Sequence, residues 1–211
     1  MKHLAILAPS RLAALHDGAL AAWYKCDPKR VTPDRSLKSI VLAQHCANFR
    51  LWNLEDQARR RDVPDSHIVE TKRSIDFWNQ ARNDLAERID EFVLRQFGHV
   101  DAAGGELHSE TAGMMVDRLS ILSLKIKHMG IHAARRRRSR LGAECAAKQA
   151  VLKQQRAELC RCLDRLLGEF KAGRRYFKTY RQFKQYNDPR LNPHLKTGGR
   201  PGHIRRKTNR G

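Results

Sequence analysis

Long apolar runs are missing. No stretch approaches the roughly 20 consecutive apolar residues that a membrane-spanning helix needs, so none is expected. The apolar start Leu4-Ala5-Ile6-Leu7-Ala8 is cut short by Pro9, Ser10 and Arg11, and is too brief for the hydrophobic region of a signal peptide. Strand-like alternation of useful length is absent, which argues against a sheet-based fold. Cysteine is sparse and oddly numbered: Cys26, Cys46, Cys145, Cys160 and Cys162 include no CxxC pair. That argues against a CxxC-type zinc site, and fits reduced thiols in the cytoplasm best. Aromatic residues make up 7% of the chain, and its seven prolines and 13 glycines lie mostly between periodic segments. Such a composition favours helices with wide solvated faces.

Charge of one sign is what the chain has in excess. The net charge is +20 over 211 residues, unevenly spread. Residues 1–134 carry 19 Lys+Arg against 17 Asp+Glu, whereas residues 135–211 carry 23 against 5. A near-neutral body with a polycationic end is the reading, and an anionic partner follows from it: a phosphorylated sugar, an anionic glycolipid surface or nucleic acid.

The periodicity predicts an all-α helical bundle of about five long helices with a basic, partly disordered C-terminal tail. The helices are expected over about Ser10–Lys25, Ser36–Arg61, Asp65 or Ser66 to Phe97, a fourth capped by Ser109 and reaching about His132, and a fifth from after the run Arg135–Arg140 to about Lys171. The fifth carries Leu152, Leu159, Leu163, Leu166 and Phe170 at near-heptad spacing. One helical domain over 1–195, basic from 135 onward, and a disordered basic tail over 196–211 are expected.

The third helix is the most informative. At 100° per residue, Lys72, Asp76, Asn79, Asn83, Glu87 and Asp90 share a narrow arc. The apolar arc, including Ile75, Trp78, Ile89 and Val93, lies beside it, with Arg82 projecting from its middle. A guanidinium there needs a carboxylate from another helix. The second helix offers Asn48, Trp52, Glu55 and Arg59 on one face with Asp56 at its edge; the fourth offers Glu110, Asp117, Lys125 and His128 beside its apolar face. These stripes are expected to converge on a polar ligand pocket between helices. The plain alternative is that each is the solvated shoulder of an amphipathic helix.

Two further patterns carry chemistry. Glu87 and Asp90 form an ExxD pair that Glu55 and Asp56 could face across the bundle, the general way in which helical hydrolases hold magnesium, which is therefore a candidate cofactor, although ExxD is common in any charged helix. His128 and His132 stand at i, i+4, a spacing able to clamp a transition metal. The cations Arg135, Arg136, Arg137, Arg138 and Arg140 form one cluster. Arg174, Arg175, Lys178, Arg181 and Lys184 interleave with aromatics in a second, a pattern suited to phosphates and stacked bases or to a helix docked by its aromatic face.

Several stretches together resemble a known family. Asn48-Phe49-Arg50-Leu51-Trp52-Asn53-Leu54-Glu55-Asp56-Gln57-Ala58-Arg59 is followed by Lys72-Arg73-Ser74-Ile75-Asp76, by Asn79-Gln80-Ala81-Arg82-Asn83-Asp84, and by Asp117-Arg118-Leu119-Ser120-Ile121-Leu122-Ser123-Leu124-Lys125-Ile126. Leu15-His16-Asp17 near the start and Tyr186-Asn187-Asp188-Pro189 near the end extend the match to roughly residues 10–195. The chain resembles the bacterial family known as domain of unknown function 4254. It departs from the family pattern at Ala112, where a proline is expected in the first turn of the fourth helix. The resemblance implies an α-helical protein of unassigned activity, with members often encoded near glycosyltransferases for lipopolysaccharide or other surface glycans. The expected function is therefore an accessory or binding protein of surface-glycan synthesis whose pocket takes a phosphorylated or nucleotide-linked sugar. The alternatives are a nucleic-acid-binding protein acting through residues 135–211 and a metal-dependent nucleotide hydrolase or transferase.

Overall fold

The computed structural model describes residues 2–28, 31–97, 105–181, 183, 185 and 188–195. The chain forms two units, Met1–Thr179 and Tyr180–Gly211. The first is a helical bundle; the second contains a short 3-10 turn at Pro193–Leu195. The expected tail, 196–211, lies outside the described residues, as does Lys184.

Five long helices build the first unit: α1 (Pro9–Trp23), α2 (Leu37–Gln57), α3 (Asp65–Phe97), α4 (Ala112–Arg135) and α5 (Arg140–Lys171), preceded by a 3-10 turn at Lys2–Leu7 that the periodicity did not foreshadow. Each start has a local cause. Pro9 opens α1, where its missing N–H costs nothing. Ser36 caps α2 by accepting from the Ser39 N–H, and Ser139 caps α5 by accepting from the Gly142 N–H. The fourth helix is capped by Thr111, not Ser109: the Thr111 hydroxyl accepts from the Met114 N–H. Ala112, buried at the first helical position, stands where proline was expected without displacing that cap.

Two antiparallel hairpins, α2–α3 and α4–α5, supply most of the packing, and α4 touches all four other helices. Leu12, Ile40, Val41, Ile89, Val93, Met115, Leu119, Leu163, Leu166 and Phe170 form the main core. Of the near-heptad seam on α5, Leu163, Leu166 and Phe170 are buried, while Leu152 and Leu159 are only partly so. Residue 113 has to be glycine for α3 and α4 to approach: a Cβ there would lie 2.1 Å from the Ala86 carbonyl oxygen.

Two two-residue strands, β1 (Glu106–Leu107) and β2 (Arg175–Tyr176), pair in parallel. They tie the segment after α5 to the segment before α4. The stretch of cations and aromatics is therefore not a continued helix at this point. Phe177 is buried against Phe170, with ring centroids 5.1 Å apart.

Candidate functional site

A cavity of about 350 Å³ opens between α2, α3 and α4. From α2 it is lined by Asn48, Leu51, Trp52, Glu55 and Asp56, which recur at helical spacing on one face, and from the turn just after it by Arg59. From α3 come Asn79 and Arg82, and from α4 Ile121 and Leu124. The α2 stripe thus meets Asn79 and Arg82 of α3, whereas no member of the expected α4 stripe lines the cavity.

Arg82 is partly buried, and its nearest carboxylate is Asp117 of α4, with Nε and Oδ1 3.9 Å apart. That is an electrostatic contact but too long for a hydrogen bond. Its Nη2 donates weakly to Asn83 Oδ1 at 3.5 Å, and Nε has no acceptor among the described residues. Asp117 is held from below: Gln44 Nε2 donates to Oδ1, and so does Asn48 Nδ2 at 2.9 Å. Burial pushes the Asp117 carboxyl above the usual range, against the pull of Arg82, Asn48 and Gln44.

The polar groups continue inward. Asn48 Nδ2 also donates to Ser120 Oγ at 2.9 Å, and Ser120 Oγ lies 2.7 Å from His45 Nδ1. His45 Nε2 donates to the His16 carbonyl oxygen at 3.3 Å, and the two imidazoles stack with centroids 4.3 Å apart. Both rings are fully buried. Burial holds His45 down at about 4 and His16 well below the usual histidine range. Neither ring nitrogen of His16 has a partner among the described residues. On α5, Arg156 donates to Asp17 at 2.6 Å and to Ser123 at 3.2 Å.

An aromatic wall flanks the cavity. Trp52 stacks on His128 of α4 with centroids 4.4 Å apart, and the Tyr24 hydroxyl is hydrogen-bonded to His128 Nε2. Burial, then the negative charge of Asp56, pushes the Tyr24 phenol up to about 12. Burial also lowers His128, with Asp56 opposing. The Trp52 indole N–H, like Arg82 Nε, has no acceptor among the described residues.

Some expected site residues lie elsewhere. Asp76 is exposed and pairs with Lys72 one turn earlier. Lys125 faces α5 and lines neighbouring cavities instead. Asn83 adjoins Arg82, while Glu87 is half-buried one turn further along α3, outside the lining. Asp90, at the far end of the polar arc, is not in the cavity: it is buried and accepts from the Gly113 N–H at 2.6 Å, close to the start of α4. Burial pushes its carboxyl up to about 6. The ExxD pair is thus divided, one member being part of a helix junction. Glu55 pairs with Arg59 at 3.0 Å. His128 is engaged by Tyr24, and His132 Nδ1 receives Arg136 Nη1 at 3.2 Å, so the i, i+4 histidines do not form a clamp. No group of three or more His, Cys, Asp or Glu among the described residues is placed to hold a metal ion.

The basic candidates separate too. Arg135, Arg136, Arg137 and Arg138 are exposed on the α4–α5 turn, around a shallow cavity of about 540 Å³. Arg140 is exposed and pairs with Glu144 at 3.1 Å. Arg175 is committed to Glu169 at 3.0 Å and Glu106 at 3.1 Å, which withdraws it from a polyanion surface. Arg174 and Lys178 are exposed, Lys178 with its Nζ 5.9 Å from the Tyr176 ring centroid; Arg181 is exposed within the second unit.

Compared with known proteins, residues 38–179 match the model of a family described as "Protein of unknown function (DUF4254)". The chain belongs to this family. The matched span begins in α2 and runs through both hairpins to Thr179, so it contains every residue lining the cavity. For this DUF4254 member, no curated protein and no solved structure matches.

Sequence reasoning missed the inner network of His16, Gln44, His45 and Ser120. One signal was readable: from Ser39 to Phe49, α2 has no charged residue, so Gln44, His45 and Asn48 there had to be core polar groups. The Trp52–His128–Tyr24 contact joins three helices and leaves no spacing signature.

Proposed function

We propose that the cavity between α2, α3 and α4 binds a phosphorylated or nucleotide-linked sugar, and that the protein serves surface-glycan synthesis, such as that of lipopolysaccharide, in a bacterial cytoplasm. Arg82 carries the reading. Its guanidinium is partly buried on the cavity wall, neutralised at a distance by Asp117, and its Nε has no acceptor among the described residues. A planar fork in that state suits a phosphate oxygen pair. The volume falls within the range of small-molecule sites. Asn48 and Asn79 supply amides, Glu55 and Asp56 supply acceptors for sugar hydroxyls, and Trp52 offers an aromatic face.

Calorimetric titration with N-acetylglucosamine 1-phosphate and its uridine diphosphate ester tests this. Wild type binds at least one of them, Arg82→Lys loses about tenfold because it keeps charge but not the fork, and Trp52→Ala loses a similar amount. Absence of binding to either compound, or equal binding by Arg82→Ala, refutes the reading.

A further inference from the structure

Trp52 borders two cavities. The same side chain lines a second cavity of about 530 Å³ between α4 and α5, whose wall is mainly apolar: Met129, Ala147, Val151 and Leu152, with Lys125 and Lys148 on its edges. Val151 is 54% exposed there, a large apolar side chain facing solvent. From Ala147 to Gln155 the wall spans nine residues, about 12 Å along the helix. Lys125 and Lys148 join none of the ion pairs among the described residues, so two free ammonium groups flank the apolar wall.

We propose that the polar cavity and this apolar groove are two halves of one site for an anionic amphiphile: a sugar phosphate joined to a hydrocarbon chain. The inference rests on the sugar-phosphate reading of the polar cavity and names the ligand class for it. The sugar phosphate lies against Arg82 and Trp52. Lys125 and Lys148 supply cations where the ligand leaves the polar cavity. The chain lies along Met129, Val151 and Leu152, where removing methylenes from water favours binding.

The shared wall at Trp52 and the two lysines beside the apolar side chains single out this occupant. A peptide helix would leave the polar half empty, and a free sugar phosphate would leave the apolar half wet. The arginine turn agrees. Ala147 lies seven residues, about 10 Å, from Arg140, so the groove approaches the exposed cluster Arg135–Arg138 beside half-exposed Leu141. Cations with an adjacent apolar side chain suit the anionic lipid surface from which such a ligand is drawn.

The test uses three probes below their micellar concentrations: N-acetylglucosamine 1-phosphate, dodecyl phosphate, and the dodecyl diester that joins them. The diester is expected to bind more than about tenfold tighter than the sugar phosphate, since even two buried methylenes supply that factor. Val151→Asp, at an exposed site the fold does not need, removes the gain and leaves sugar phosphate binding unchanged. Equal affinity for diester and sugar phosphate overturns the proposal, as does a gain that survives Val151→Asp. Dodecyl phosphate binding that is lost in Val151→Asp, with no binding of the sugar phosphate, refutes the sugar reading of the polar cavity while upholding the groove as the tail site.

Discussion

Single buried charges set the pH behaviour of this molecule. The Asp90 carboxyl is pushed up to about 6 by burial, from an ordinary 3.8. Between those values the folded state holds a proton the unfolded chain has released, so this group's contribution to stability falls as pH rises from about 4 to about 6. His45 acts in the opposite direction: it is held at about 4, so below pH 6.5 the unfolded chain takes a proton that the folded state refuses, and stability is lost as pH falls toward 4. His16 adds to that loss. Asp90→Asn keeps an acceptor for the Gly113 N–H and removes the first slope alone. Urea unfolding is predicted to place the variant level with or above wild type at about pH 7.5, by at most about 3 kcal/mol, and lower relative to wild type near pH 4. A loss of the same size at both pH values contradicts this account of Asp90. The same residue shows where reading a sequence stops. Its place in the 100° arc of α3 was correct, but the arc could not say that α4 would begin against it. A carboxylate at a helix junction and one in a solvated stripe have the same spacing.

At the scale of helices, the crossing of α3 and α4 positions the site. Gly113 meets Ala86 backbone to backbone, and Arg82 and Asp117 stand one turn from each partner. The Arg82–Asp117 contact is therefore a consequence of how closely the two helices cross. Gly113→Ala is predicted to cost about 1–3 kcal/mol in chemical denaturation through overpacking, and to weaken ligand binding by separating Arg82 from Asp117. Gly18→Ala is the matched control: its Cβ meets nothing within 4 Å in an exposed helix position, and better helix propensity favours it by up to about 1 kcal/mol. If both substitutions have the same effect, the close approach is not what positions the site. Helix number and approximate bounds were legible because amphipathic periodicity and capping residues are local. The cap of α4 was not, since Ser109 and Thr111 are both competent and the choice between them is made by packing. The short strands were illegible for the same reason: two residues carry no alternation.

Across the whole molecule, the division of charge and the position of the pocket are separate facts. The near-neutral residues 1–134 contain all ten residues lining the polar cavity, whereas the cations from Arg135 onward form the exposed α4–α5 turn and the region beyond it. The net charge of +20 therefore says little about what the cavity holds. The sequence could show that Arg82 needed a carboxylate from another helix. It could not choose between Glu55 and Asp117, because that depends on how the hairpins pack, and the fold gives Asp117. Trp52 and Arg82 are proposed to face one bound ligand. In a chain with Trp23→Phe and Trp78→Phe, Trp52 is the remaining tryptophan of three and its fluorescence reports on the cavity. Titration with N-acetylglucosamine 1-phosphate and its uridine diphosphate ester is predicted to change that emission saturably with at least one of them, and the change is predicted to weaken about tenfold in Arg82→Lys. Emission unaffected by either compound, or a response identical in Arg82→Lys, contradicts it.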